Sequence, residues 1–155
     1  MRKIWVAAAF GLLALAGCAQ APNFSEAPPP SVPQNAARIV VYRWLEPYET
    51  LLVAHVDLDG RPLGYAQNGA GFVREVTPGE HTISIVSSVE FPGQTATVTL
   101  QPGETLYVRI ASFSGWFPRF PDPVFTIRFA DTVTGPHDIA TLPQISGWGW
   151  PGIGH

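Results

Sequence analysis

The sequence predicts an all-β fold, a single antiparallel β-sandwich of about seven to nine strands. Three observations predict it. Short runs rich in β-branched and aromatic residues alternate with period two from Arg38 onward, turn pairs such as Asp59-Gly60, Pro78-Gly79 and Pro102-Gly103 separate them, and no long stretch has helical spacing.

Taken in order, Arg38 to Arg43 is the first strand, Ile39, Val40 and Val41 giving it β-branched character. Leu52 to Leu58 follows, with Leu52, Ala54, Val56 and Leu58 on one face and His55 and Asp57 on the other. Asp59-Gly60 supplies a hairpin turn into Arg61 to Ala66, and Asn68 to Gly71 a second turn into Phe72 to Val76. Thr77-Pro78-Gly79-Glu80-His81 and Gln101-Pro102-Gly103-Glu104-Thr105 look like one unit written twice, each a Pro-Gly turn delivering an alternating strand. Between them Pro92-Gly93 breaks the chain and Thr95 to Leu100 alternates Thr95, Thr97 and Thr99 against Ala96, Val98 and Leu100. Val124 to Ala130 is the last strand, with Phe125, Ile127 and Phe129 on one face, and a short helix is expected around Asp138 to Leu142. Ser146 to His155, rich in Gly and Trp, is expected to be poorly ordered or only loosely docked.

Before the domain the pattern is that of an exported chain. Arg2 and Lys3 precede an apolar run from Ile4 to Leu15, too short for a membrane span and of the length of a signal core. It ends in Leu15-Ala16-Gly17-Cys18, which resembles the bacterial lipobox. That resemblance implies a lipoprotein signal peptide over residues 1–17, acylation of the Cys18 sulfur as its thiolate, and cleavage before Cys18. Two or three acyl chains make a stable membrane anchor. Ala19 stands where an Asp would imply inner-membrane retention, so the sorting rules of that class imply the outer membrane. Residues 18–36 then form a tether, five prolines between Ala19 and Gln34 favouring extended geometry at about 3.1 Å per residue. The sandwich occupies residues 37–142, and residues 143–155 form the Gly/Trp tail.

Composition narrows the function classes. With residues 1–17 removed, seven arginines stand against twelve acidic residues, a formal net charge of −5, and no lysine remains. The arginines are scattered singly, which leaves no basic stripe for nucleic acid. Cys18 is the only cysteine, so no intrachain disulfide can form.

The segments Ile39 to Arg43, Val56-Asp57-Leu58-Asp59-Gly60, Val76-Thr77-Pro78-Gly79-Glu80-His81 and Pro102 to Val108 resemble the DUF2846 domain of bacterial lipoproteins, and more distantly PEGA modules. The resemblance runs from Arg38 to about Ala111. It implies a small sandwich at the cell envelope and brings no catalytic residues with it.

Three clusters are weighed for chemistry. His55, Asp57 and Asp59 have the two-residue spacing that could gather metal ligands, but Asp-Gly is also what the hairpin requires, and no metal site is assigned. Glu80-His81 with Ser84, Ser87 and Ser88 invites a hydrolase, yet strand neighbours point to opposite faces and no Gly-x-Ser-x-Gly elbow is present. No nucleotide-binding glycine pattern occurs, and no cofactor is expected. Phe113 to Pro121 holds four aromatics and two prolines around Arg119, so Trp116, Phe117, Arg119 and Phe120 form the expected partner contact, unless the rings cover a sandwich edge instead. The sequence therefore predicts a non-catalytic binding or assembly module for an envelope protein. Envelope glycan binding is the alternative, and a small hydrolase using His81 or His55 a third reading.

Overall fold

The computed structural model describes residues 20–47, 52–87, 90–113 and 124–148. The expected signal peptide and Cys18 lie outside them. Among the described residues there are eight strands, β1 Ala37–Tyr42, β2 Val53–Leu58, β3 Arg61–Gln67, β4 Gly71–Val76, β5 Gly79–Val86, β6 Thr95–Leu100, β7 Thr105–Phe113 and β8 Val124–Ala130, followed by one helix, α1 Thr134–Ile139.

The strands form two four-stranded sheets, in the orders β4-β1-β7-β8 and β3-β2-β5-β6. Ile39, Val41, Phe72, Val108, Ile110, Phe125 and Ile127 from the first sheet meet Ala54, Val56, Ile83, Ile85 and Leu100 from the second, giving the sandwich its core. The Asp59-Gly60 turn has positive φ at both residues, as a two-residue type I′ hairpin demands, and pairs Leu58 with Arg61. A bulge opposite Val56/Asp57 accommodates an extra residue in β3.

Among the described strands every ladder is antiparallel except one: β1 and β7, the two central strands of the first sheet, run parallel from Arg38↔Thr105 to Tyr42↔Arg109. A parallel pair needs a long crossover. Here the crossover includes the whole second sheet, and alternation in the sequence carries no strand direction. The two Pro-Gly-Glu units likewise diverge, because one feeds β5 of the second sheet and the other β7 of the first. Only the latter closes a four-residue turn, Glu104 N–H donating to Gln101 O at 3.1 Å.

β1 is buried at all six positions. Its inward side chains join the sandwich core, while Val40 and Tyr42 face outward into a second cluster with Phe24, Ile139 and Leu142. This outer layer corrects the tether. Phe24, in the Pro-rich segment, is 4% exposed. Its N–H donates to Leu142 O, Ser25 N–H donates to Ala140 O and Pro22 O accepts from Gln144. From Pro22 onward the segment is therefore docked, because the outward face of β1 needs an apolar cover.

Two further expectations shift. The helix begins at Thr134 rather than Asp138 because Asp131 Oδ1 accepts the N–H groups of Val133 and Thr134 at 2.9 and 2.6 Å, and Pro136 is tolerated in the first turn. Gly135 lets the helix lie on the Tyr107 ring, since a Cβ there would sit 2.2 Å from Tyr107 Cγ. Phe129 does not join Phe125 and Ile127 in the core and stays half exposed near the end of β8.

The strand registers gather Tyr42, Val53, Gln67, Gly71, Val86, Thr95, Phe113 and Val124 at one end of the sandwich, the loop end. The tight turns at Asp59-Gly60, Pro78-Gly79 and Gln101–Glu104 lie at the other. Arg43 joins the two sheets at the loop end. The residue is 1% exposed, and its guanidinium donates from Nη1 to Leu52 O at 2.6 Å and stands 4.6 Å from the centre of the Phe125 ring.

If the outer layer is part of the folded unit, Phe24→Ala lowers stability by about 3–5 kcal/mol. Val133→Ala, at an 81% exposed position, changes it by less than about 0.5 kcal/mol. Urea unfolding of both variants checks this, and an unmoved midpoint in Phe24→Ala would return the segment to a free tether.

Candidate functional site

At the turn end, the hairpin turn after β2 meets the start of β5. His81 is buried, with Nδ1 2.7 Å from Asp59 Oδ2 and Nε2 2.7 Å from Thr77 O. Asp59 Oδ1 accepts from the Thr82 N–H at 2.8 Å. Both imidazole nitrogens thus face acceptors, and only the imidazolium can donate to both. The Asp59 hydrogen bond, then the Thr77 carbonyl, raise the His81 pKa against an opposing burial effect. The Thr82 N–H, then His81, lower that of Asp59.

This pair is a clasp between two turns, and it leaves His81 no free nitrogen to take a proton from a nucleophile. Glu80, its sequence neighbour, is not its partner; the partner is Asp59, 22 positions away. The spacing of His55, Asp57 and Asp59, weighed above as a ligand set, likewise gathers no cluster. Asp59 turns to His81, while the His55 ring packs edge-on against Tyr65 at 4.5 Å between centres. Among the described residues no group of three or more His, Cys, Asp or Glu side chains is placed to hold a metal.

A second locus lies along the edges of β3 and β4, where residues 143–148 dock, the rest of the Gly/Trp tail lying outside the described residues. Tyr65 N–H donates to Gly147 O at 2.8 Å, and Ile145 N–H to Gly71 O at 2.8 Å. The Arg74 guanidinium donates to Leu63 O and Ser146 O and lies 4.8 Å from the Trp148 ring centre. Burial pushes the Arg74 pKa down. Trp148 is 51% exposed and meets Tyr65 edge-on at 6.3 Å.

The third locus is the loop end. Trp44 and Leu45 are 45% and 68% exposed, and the Arg109 guanidinium sits 4.0 Å from the centre of the Trp44 ring. Asn68 fixes this loop from below, donating from Nδ2 to Glu46 O at 2.7 Å and accepting from Glu46 N–H at 2.9 Å. The Glu46 carboxylate accepts a hydrogen bond from the Ser112 hydroxyl, close to where β7 ends. Phe113 pairs with Val124, so both feet of the aromatic segment stand at this end. Trp116, Phe117, Arg119, Phe120 and Trp150 themselves lie outside the described residues, as Cys18 does.

Residues 33–120, more than half of the chain, match the family described as a protein of unknown function, DUF2846. The chain belongs to the DUF2846 family. No curated protein and no solved structure matches it. The DUF2846 region contains β1 to β7, the Asp59–His81 clasp and the Trp44–Leu45 loop. Phe24, β8, α1 and the docked tail fall outside it. Trp44 and Leu45 were not singled out in the sequence, although two large apolar residues directly after a strand, facing an Asn68-Gly69 turn, are a readable signal.

The clasp makes stability depend on pH in a defined direction. With the His81 pKa raised on folding, its contribution is complete below the ordinary imidazole value of 6.5 and is lost as pH rises through the folded value. With that of Asp59 lowered, its contribution is present above the ordinary carboxyl value of 3.8 and is lost as pH falls through the folded one. Urea midpoints measured across pH should therefore be highest between these limits, and His81→Gln should remove the decline on the alkaline side. Identical profiles for the two proteins would dismiss the clasp.

Gly147 has φ +73°, and a Cβ there would meet Phe72 Cγ at 2.7 Å and Arg74 Nη2 at 2.9 Å. Gly147→Ala is expected to release the strap, seen as faster hydrogen exchange of the Tyr65 amide while core amides stay protected. Unchanged Tyr65 exchange would show that the strap holds without this glycine.

Proposed function

We propose that this DUF2846 chain is a non-catalytic binding or assembly module of the bacterial envelope, lipid-anchored through Cys18 in the outer membrane, which engages a protein partner with the loop end of its sandwich. The observation that carries this reading is the Trp44–Leu45 pair, held exposed beneath Arg109 on a loop pinned by Asn68. Trp and Arg are the side chains that dominate interface energetics, and a contact already fixed in the free protein loses little freedom on binding. Phe113 and Val124, which flank the segment carrying Trp116, Phe117, Arg119 and Phe120, stand at the same end. The pairing of both His81 nitrogens supports the non-catalytic part.

A second reading, envelope glycan binding, draws on the half-exposed Trp148 beside Tyr65 and Arg74, since an aromatic face with polar neighbours suits a sugar ring.

A photoreactive residue replacing Trp44 in living cells should capture one recurrent envelope protein that a probe at Arg61 does not. With that protein in hand, Trp44→Ala should weaken binding at least tenfold without changing the melting temperature. Equal capture from both positions, or unchanged affinity, would defeat the protein-partner reading. Trp fluorescence that responds saturably to cell-wall fragments, and no longer does in Trp148→Phe, would instead favour the glycan.

A further inference from the structure

We propose that the gap between the docked N-terminal segment, α1 and the outward face of β1 and β7 is a binding site for a single acyl chain bearing a neutral carbonyl, such as a monoacylglycerol. The cavity measures about 400 Å³ and is walled by Phe24, Pro29, Val40, Tyr107, Pro136 and Ile139. That volume is at the small end of ligand cavities, roughly 300–1,000 Å³, and suits one chain rather than two.

The charged part of the wall is Arg38, whose side chain is 7% exposed, beside the hydroxyl-bearing Ser25, Thr105 and Tyr107. Nη1 donates to Pro30 O at 2.5 Å and Nη2 to Glu75 Oε1 at 2.6 Å, but the buried Nε–H has no acceptor among the described residues. A buried donor left unpaired is an unfavourable arrangement, and because this nitrogen is closed to water, an incoming oxygen relieves it through a turn of the Arg38 side chain toward the ligand. Glu75 already neutralises the guanidinium, so the missing partner is an uncharged acceptor rather than a second anion. Tyr107 lines the same cavity, and burial raises its pKa, so its hydroxyl stays protonated as a further donor. An ester carbonyl on an apolar chain supplies what this wall lacks.

The test uses the full-length protein and a monolauroyl glycerol carrying a photoreactive diazirine on its chain, with labelled peptides mapped by mass spectrometry. Saturable labelling confined to peptides from 22–30 and 134–142, and competed by unlabelled monolauroyl glycerol, is expected. Ile139→Trp, which fills the cavity, should cut labelling at least tenfold. Arg38→Lys keeps a cation opposite Glu75 while removing Nε–H, and should raise the half-saturating concentration about fivefold. Equal labelling in wild type and Cys18→Ala assigns the cavity to a free lipid. Labelling that appears only in Cys18→Ala means an acyl chain carried by Cys18 fills the same site. Diffuse labelling without saturation, or labelling unchanged in both folded cavity variants, overturns the proposal.

Discussion

A strand that is apolar on both faces is the constraint on which this structure depends. Ile39, Val40, Val41 and Tyr42 follow one another without the polar alternation of a half-buried strand, so β1 cannot border water on either side. The inner face is met by the second sheet. Covering the outer face takes Phe24 from before the sandwich and α1 from after β8, and the Tyr42 hydroxyl donates to Asp138 Oδ2 at 2.7 Å to hold the helix there. Burial and that carboxylate together push the Tyr42 pKa up. The result is three layers where two would satisfy an alternating strand, and the cavity beside Arg38 lies in the outer seam.

The seams are closed by arginines. Arg43 spans the two sheets at the loop end, Arg74 bridges β4 to β3 and the tail, and Arg38 ties β1 to the Pro-rich segment and to Glu75. Burying a cation is costly unless its donors are satisfied, and a guanidinium carries several donors in a fixed plane that also stacks on aromatic rings. Arg43 uses Phe125 in this way, and Arg74 uses both Phe72 and Trp148. A lysine ammonium offers neither the fork nor the face. The absence of lysine after residue 3 is consistent with cations whose work here is to join layers rather than to solvate the surface.

Strand existence and position were legible because alternation and turn chemistry are local. Thr95 to Leu100 and the Asp59-Gly60 hairpin stand where the sequence put them, and DUF2846 membership followed from the same turn-and-strand segments. What the sequence did not yield is what depends on partners far along the chain. The Pro-Gly-Glu repeat could not say that its two strands enter different sheets, nor could His81 reveal Asp59. Phe24 sat in a Pro-rich stretch that composition marks as extended, although extended geometry and docking are compatible. The clue was in β1: an outward face with no polar residue to offer water beyond Arg38 requires a cover. Arg43 carried a similar clue, falling in step with the core positions Ile39 and Val41. Of the expected contact residues, the structure describes only the ground on which their segment stands.

The docked segment changes what the proposed anchor would mean. Chain held by hydrogen bonds from Pro22 onward leaves only four peptide steps back to Cys18, a reach of at most about 14 Å. Pro22 bonds to Gln144, which bridges to Gly71; Gly71 belongs to the loop end, two residues from the Gly69 N–H that donates to Trp44 O. A lipid on Cys18 would therefore hold the loop end, with Trp44 and Leu45, close to the bilayer rather than several nanometres from it. With such an anchor, the protein partner proposed for the exposed pair would be one embedded in or seated on that membrane.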